Sequence, residues 1–242
     1  FEADQLLSGA GAQASSDAKA RQRQWLSDIR GHLSNLDLSS TDCEGILSLV
    51  EAAPSRQVGA NALDNVVSRF PSKKNPQPLE LESQTCEQLF AFEMEADESV
   101  LWYAAQVPCR GITRGSHVSN ATADFIVGRH RSVTVVETKP EAKLEQLAKR
   151  RPQEWVKEGS RWRRPPVEAW ATARGLSYQI WTPPEPFGIY LCNMDHLWMT
   201  DCDPLPSKRE QWLLRRLRCE LAKSPRSIDE LKKLIPTFNE HI

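Results

Sequence analysis

The first quarter of the chain shows the hydrophobic spacing of amphipathic helices. Apolar residues recur at every fourth position in a segment that we predict to be helical from about Ala18 to Leu36. These residues are Trp25, Ile29 and Leu33. A shorter helix is predicted over Cys43–Ala52. We therefore expect residues 1–65 to form a helical N-terminal extension that ends in a Gly-, Asn- and Ser-rich connection.

The segment that follows is predicted to be extended. Residues 70–83 hold three prolines within eight positions, and proline lacks a backbone N–H and restricts the residue before it. Helical spacing returns over Ser83–Ala96, where Leu89, Phe90 and Met94 lie on one side. This helix would be the first helix of the main domain.

Two β-branched segments then predict a hairpin. Residues 122–127 and 132–139 are apolar and are separated by the charged turn 128–131. Further elements are predicted as helices at 141–151 and 167–174 and as strands at 178–181 and 189–192. Helices that pack on a short mixed sheet define an α/β domain, which we assign to residues 66–202.

The end of the chain predicts a small helical module. The sequence DPLPS at 203–207 separates it from the main domain. An amphipathic helix is predicted over Lys208–Ala222, and Ser227 with Glu230 has the spacing of a capping box for a second helix. Residues 203–242 are thus predicted to form a winged-helix-like C-terminal module.

Composition narrows the class of protein. The chain of 242 residues is 40% hydrophobic and 26% charged, with a formal net charge of −1, so any DNA-binding residues must be concentrated on one face. Its six cysteines form no C-x-x-C pair, which argues against a structural zinc site and against a disulfide framework. No apolar run is long enough to span a membrane, and the first residues lack the basic region of a signal peptide. We expect a soluble, intracellular protein without a membrane partner.

The hairpin places acids on otherwise apolar strand faces. The strand period of two puts Glu137 and Lys139 on the face that carries two valines, and Asp124 shares its face with an isoleucine. Charged groups in such positions need partners. Asp124, followed after twelve residues by Glu-Thr-Lys, also matches the D-x(n)-E-x-K pattern of restriction-enzyme-like nucleases. The alternative interpretation is a surface hairpin with a cross-strand ion pair.

This residue set suits phosphodiester hydrolysis. Carboxylates bind Mg²⁺ through hard oxygen ligands, and the metal polarises the phosphate and lowers the pKa of a bound water. The lysine then orients or deprotonates that water. Glu87 offers a third acid, because its helical spacing from Phe90 and Met94 places it beside the buried stripe. The alternative for Glu87 is a glutamate at the edge of the core.

In their order and spacing these motifs resemble the TnsA-type endonucleases of heteromeric cut-and-paste transposons. The resemblance covers residues 66–181. Its parts are Phe-Pro-Ser-Lys at 70–73, Glu-Ser at 82–83, E-x2-F-x4-E-x-D-x2-V at 87–100, Gln106 with Pro108, Thr-Ala-Asp-Phe at 122–125 and Glu-Thr-Lys-Pro at 137–140. The chain departs from the family at Ala123, where proline is usual, and in having Gln-Val-Pro in place of Gln-Pro at 106–108.

The resemblance implies a fold, a site and partners. The fold would be a restriction-endonuclease-like core, a mixed sheet flanked by helices. Glu87, Asp124, Glu137 and the backbone carbonyl of Thr138 would bind the metal, and Lys139 would be the catalytic lysine. The cofactor would be Mg²⁺, for which Mn²⁺ substitutes. The substrate would be double-stranded DNA at transposon ends, and the partners would be a transposase subunit of the integrase-like class and an AAA+ ATPase regulator.

A basic stretch that contains tryptophans is predicted to bind DNA phosphates. It runs from Lys149 to Trp170, and Lys73 is added to it from the Phe-Pro-Ser-Lys motif. The candidate DNA-binding residues are Lys73, Arg150, Arg151, Lys157, Arg161, Arg163 and Arg164. The alternative is a solvated surface whose tryptophans anchor a core.

Three functions are compatible with these patterns. The first is a nuclease that cuts transposon ends with a separate transposase. The second is a stand-alone restriction, defence or repair nuclease. The third is a non-catalytic DNA-binding assembly subunit, which Asp124 and the intact Glu-Thr-Lys argue against, since an inactive site has no chemical need for inward-facing acids.

Overall fold

A computed structural model describes most of the chain. It covers residues 2–54, 68–83, 85–184, 194, 208–221, 223–224, 227, 230–231 and 233, with residues 2–15, 208–211 and 214 described by their backbone alone. The chain divides into two compact units, residues 1–195 and 196–242. The strand predicted at 189–192 and the DPLPS segment at 203–207 lie outside the described residues.

The described residues form six helices and eight strands. The helices are α1 (Glu2–Ser34), α2 (Ser40–Glu51), α3 (Glu87–Ala96), α4 (Glu141–Arg150), α5 (Pro165–Thr172) and α6 (Lys208–Leu221). The strands are β1 (Ser68–Phe70), β2 (Leu79–Leu81), β3 (Val100–Arg114), β4 (His117–Arg129), β5 (Ser132–Thr138), β6 (Val156–Glu158), β7 (Arg161–Arg163) and β8 (Ser177–Trp181).

A mixed four-stranded sheet forms the centre of the first unit. Its order is β3-β4-β5-β8, in which the first three strands are antiparallel and β8 runs parallel to β5. The predicted hairpin is confirmed as β4 and β5, with Phe125 opposite Val136. The α/β class is therefore confirmed.

The longest strand of the sheet, β3, was not predicted. Its residues from Trp102 to Cys109 are all buried, so the run lacks the alternation that reveals a half-buried strand. Pro108 also argues against a central strand, but β3 lies at the edge of the sheet, where proline is tolerated. Gln106 has a φ of 58°, which lets Ala104 and Val107 face the same core although a regular strand would separate them.

Helices cover both faces of the sheet. Ile126, Val133 and Val135 pack in one core with residues from α1, α2 and α5. On the other face Phe90 of α3 packs against Phe125, with ring centroids 4.8 Å apart. The predicted stripe on α1 faces inward, since Ile29 and Leu33 are fully buried and Trp25 packs against the same core. The N-terminal helices thus complete the core of the first unit.

The crossover from β5 to β8 contains the basic stretch. It passes through α4, the two-stranded β6–β7 ribbon and α5. Trp155 and Trp162 pack with Leu144 of α4 in a small second core. The tryptophans are therefore core anchors, which was the alternative interpretation.

The second unit contains α6. Trp212 and Leu221 are exposed on this helix. The predicted capping box is confirmed, because Ser227 N donates to Glu230 Oε2 at 2.7 Å and Glu230 N donates to Ser227 Oγ at 3.3 Å. Among the described residues no helix is both long and apolar enough to cross a membrane.

Candidate active site

Three predicted site residues converge where β5 ends. Lys139 Nζ lies 3.1 Å from Asp124 Oδ2 and 3.4 Å from Glu137 Oε1. Because Phe125 lies opposite Val136, the antiparallel register brings Asp124 beside Glu137 one residue further on. The sheet itself therefore gathers two carboxylates and one ammonium.

Asp124 is held through one oxygen. Its Oδ2 accepts hydrogen bonds from Thr138 N at 2.7 Å, from Thr138 Oγ1 at 3.1 Å and from Lys139 Nζ at 3.1 Å. No described residue donates to its Oδ1. The side chain is only 12% exposed, so its orientation is fixed while the second oxygen keeps its lone pairs available to a ligand.

Glu137 is held by two residues that were not predicted to serve the site. Its Oε2 accepts hydrogen bonds from Arg164 Nη1 at 2.6 Å and from Tyr178 OH at 2.8 Å. Burial raises the pKa of Tyr178 well above its usual value, so this hydroxyl stays a donor. No local sequence signal links these residues, because 27 and 41 positions separate them from Glu137.

Arg164 was predicted to bind DNA, and the structure corrects that prediction. Its side chain is buried, and its guanidinium stacks over the ring of Trp155, 4.7 Å from the centroid. Burial by itself lowers the pKa of Arg164, but Glu137 and Tyr178 together outweigh burial and raise the pKa, so Arg164 stays charged. It neutralises Glu137 inside the protein and is not exposed to a phosphate.

Glu87 is buried close to the site but belongs to a helix, α3, and not to the strands that carry Asp124 and Glu137. It begins α3, which packs on the opposite face of the sheet, and its Oε2 accepts the N–H of Glu82 at 2.8 Å. Burial raises the pKa of Glu87 to about 7, and the charge of Asp124 contributes to this shift. Among the described residues no three His, Cys, Asp or Glu side chains are arranged to hold a metal ion, so Glu87 does not complete a three-acid cluster.

Lys139 is a fixed positive charge. Burial by itself lowers its pKa, but the carboxylates of Asp124 and Glu137 outweigh burial and raise the pKa above its usual value. In this arrangement Lys139 is protonated at neutral pH. Its place between the two acids suits it to orient a bound group and to offset negative charge.

The donor set fits Mg²⁺. This ion is commonly bound through one or two carboxylates and keeps several waters, so it does not need a complete cage of protein ligands. Asp124, Glu137 and the carbonyl oxygen of Thr138 supply hard oxygens at one end of the sheet. The Thr138 carbonyl already accepts a cationic donor, Lys139 Nζ, at 3.1 Å.

The other candidate DNA-binding residues divide into two groups. Arg163 pairs with Glu158 and Glu168, and Lys157 pairs with Glu141. The remaining candidates are exposed: Lys73, Arg150, Arg151 and Arg161. Of these, the three arginines form no ion pair with a described residue, which leaves them able to bind phosphate.

Comparison with known proteins adds no family assignment. No family model matches the chain, and no curated protein shows a significant match. The function is therefore inferred from the geometry of the site and from the motifs that form it.

Glu87→Gln is expected to stabilise the protein at about pH 8. The raised pKa means that the folded state binds this proton more tightly than the unfolded state does, so stability falls as the pH rises from about 4.5 to about 7. Above that window the buried charge costs roughly 3–4 kcal/mol, which the variant avoids. Urea denaturation of both proteins at about pH 8 and about pH 4.5 measures the difference, which should shrink at the lower pH.

Glu98→Gln is the matched control, because Glu98 is exposed. It should change the free energy of unfolding by less than about 0.5 kcal/mol at either pH. If Glu87→Gln gave the same difference at both pH values, Glu87 would not carry a buried charge.

Proposed function

We propose that this chain is a metal-dependent DNA endonuclease of the TnsA type, which cuts DNA at transposon ends together with a separate transposase. The observation that carries the proposal is the convergence of Asp124, Glu137 and Lys139, in D-x(n)-E-x-K order, at one end of the sheet. A surface ion pair explains this arrangement less well, since Glu137 is 6% exposed and is held by donors from two other elements.

Each residue has a distinct role in this proposal. Asp124, Glu137 and the Thr138 carbonyl would hold the metal, whereas Glu87, also predicted as a ligand, does not join them in a three-acid cluster. Bound Mg²⁺ would polarise the scissile phosphate and lower the pKa of a bound water. Lys139 holds its positive charge where negative charge develops on the phosphate. Arg164 and Tyr178 fix Glu137 in position.

The proposal includes the fold family and the partners. The core would be a restriction-endonuclease-like domain, and the substrate would be duplex DNA in the bacterial cytosol. The formal net charge of −1 predicts only modest non-specific affinity for DNA. This favours delivery to DNA by partners, which the resemblance implies to be an integrase-like transposase and an AAA+ ATPase regulator. A stand-alone nuclease would use the same residues.

Nicking of supercoiled plasmid and of DNA that carries a transposon end tests the proposal. Mg²⁺ or Mn²⁺ should support cleavage, chelator should abolish it, and Ca²⁺ should bind without good turnover, because the ligands are hard oxygens. The assay is run with and without candidate partner proteins, and cleavage should increase when they are present.

Two outcomes would contradict parts of the proposal. Full cleavage in chelator would exclude the metal site. Vigorous and specific cleavage of naked DNA by the isolated chain would favour the stand-alone nuclease over the transposition subunit.

A further inference from the structure

The β3–β4 hairpin extends past the rest of the sheet. Pairing between β4 and β5 reaches only Phe125 opposite Val136, whereas β3 and β4 stay paired out to Arg114 opposite His117. Residues 109–121 therefore form a two-stranded ribbon beyond the four-stranded part of the sheet, with one face packed on the core, and we call it the arm. Since β4 runs antiparallel to β5, the arm continues beyond the end of β5 where Glu137 and Lys139 lie.

The arm contains no acidic residue. Between Ser99 and Ala123 the chain has no Asp or Glu, although 32 of its 242 residues are acidic. The arm carries Arg110, Arg114 and His117, and its solvent-exposed residues include Thr113 and Ser116. Val118, at the tip, is 72% exposed. This surface combines positive charge, hydrogen-bonding side chains and one apolar contact.

Neighbouring elements hold the arm in place. Trp170 Nε1 of α5 donates to the backbone oxygen of Arg110 at 2.7 Å, and Ile112 is buried in the main core. Arg114 forms an ion pair with Glu154 at 3.0 Å, so Arg114 neutralises the negative charge of Glu154. Glu154 N in turn donates to Arg151 O at 3.0 Å, which places the exposed Arg151 near the end of the arm that carries Arg114.

We propose that the arm binds duplex DNA beside the candidate active site, with Arg110 on a backbone phosphate and the tip in the major groove. The inference rests on the proposed function. A two-stranded β-ribbon fits the major groove, and phosphates recognise arginine side chains that have no partner within the protein. Arg110 is exposed and forms no ion pair with a described residue, whereas Arg163 and Arg164 are occupied by glutamates.

The strand spacing predicts where the contacts fall. Val118 precedes Asp124 by six residues on β4, which is about 20 Å at about 3.3 Å per residue. That length corresponds to roughly six base pairs of duplex DNA. Arg110, next to the Cys109–Ala121 pair, lies about three residues along the ribbon from Asp124 and therefore about 10 Å away. The arm would thus contact DNA on one side of the cut.

Salt-dependent binding of the full-length chain to a duplex provides the first test. The logarithm of the binding constant falls linearly with the logarithm of the salt concentration. Arg110→Ala should make this slope less steep by about 0.9, the value expected for one lost phosphate contact. Arg21→Ala is the matched control, because Arg21 is an exposed arginine on α1. The control should keep the wild-type slope. Fluorescence anisotropy over a series of salt concentrations measures both.

Photocrosslinking provides the second test. A benzoyl-phenylalanine in place of Val118 should crosslink to DNA about six base pairs from the nick. The same residue in place of Leu101, which is also exposed but lies at the other end of β3, should crosslink poorly. Sequencing of the crosslinked strand gives the position.

The outcomes separate this inference from the proposed function. Each of three results would contradict the proposal that the arm binds DNA. They are an unchanged salt slope in Arg110→Ala, equal crosslinking from positions 118 and 101, and a wild-type chain that binds no duplex. If the wild type cleaves DNA but Arg110→Ala keeps the wild-type salt slope, the proposed nuclease function is supported and the proposed role of the arm is wrong. If DNA binding depends on the arm but no metal ion and no partner protein supports cleavage, the proposed role of the arm is supported and the proposed nuclease function is wrong.

Discussion

Lys139→Ala is expected to lower the rate of DNA nicking by at least about a hundredfold while metal binding is retained. Removal of one preorganised positive or hydrogen-bonding group that stabilises the transition state typically has an effect of this size. The ammonium lies between Asp124 and Glu137, so its loss also leaves both carboxylates more available to a cation. Plasmid nicking and calorimetric titration with Ca²⁺ measure the two effects separately.

Two further variants serve as controls for this prediction. Lys143→Ala removes an exposed lysine four residues further on, in α4, and should nick at the wild-type rate. Asp124→Ala should lose metal binding and nicking together, because it removes a proposed ligand. A wild-type nicking rate in Lys139→Ala would show that the three charges are a structural ion-pair network.

Arg164→Ala is expected to destabilise the protein by about 3–5 kcal/mol, the usual cost of leaving a buried charge without its partner. Arg164 is 8% exposed and donates to Glu137 at 2.6 Å, so water cannot replace the lost guanidinium fully. The substitution also removes the group stacked on Trp155. Urea denaturation at neutral pH measures the loss.

Arg163→Ala is a stringent control, because this neighbour makes more ion pairs but is only partly buried. It contacts both Glu158 and Glu168, but solvent screens these ion pairs, so this substitution should destabilise the protein much less than Arg164→Ala does. Adding Glu137→Gln to Arg164→Ala should restore part of the lost stability, since the uncompensated charge is then absent. If the two substitutions destabilised additively, Glu137 and Arg164 would not be energetically coupled. Should Arg164→Ala fail to fold, the double variant still tests the coupling.

The site could be predicted from sequence where its chemistry is local. Asp124, Glu137 and Lys139 lie on two consecutive strands joined by a short turn, so strand period and hairpin register bring them together without further information. Arg164 and Tyr178 reach Glu137 only because the crossover through α4, β6, β7 and α5 returns the chain to β8, beside β5. Charge alone assigned Arg164 to the surface, since sequence does not reveal burial of a paired arginine.

The same division applies to the fold. Amphipathic spacing identified helices α1, α3 and α6, because a helix that buries one face must repeat its apolar residues every three or four positions, and local start and stop signals identified α2, α4 and α5. Strand β3 was missed because it is buried along most of its length and contains a proline that is tolerated only at a sheet edge. The sequence by itself determined the local elements and the pair of acids with their lysine, since these depend on periodicity over a few residues. Only the tertiary structure decided that the N-terminal helices complete the core, that Arg164 holds Glu137 and that the arm lies beside the site, because these depend on contacts between segments far apart in the chain.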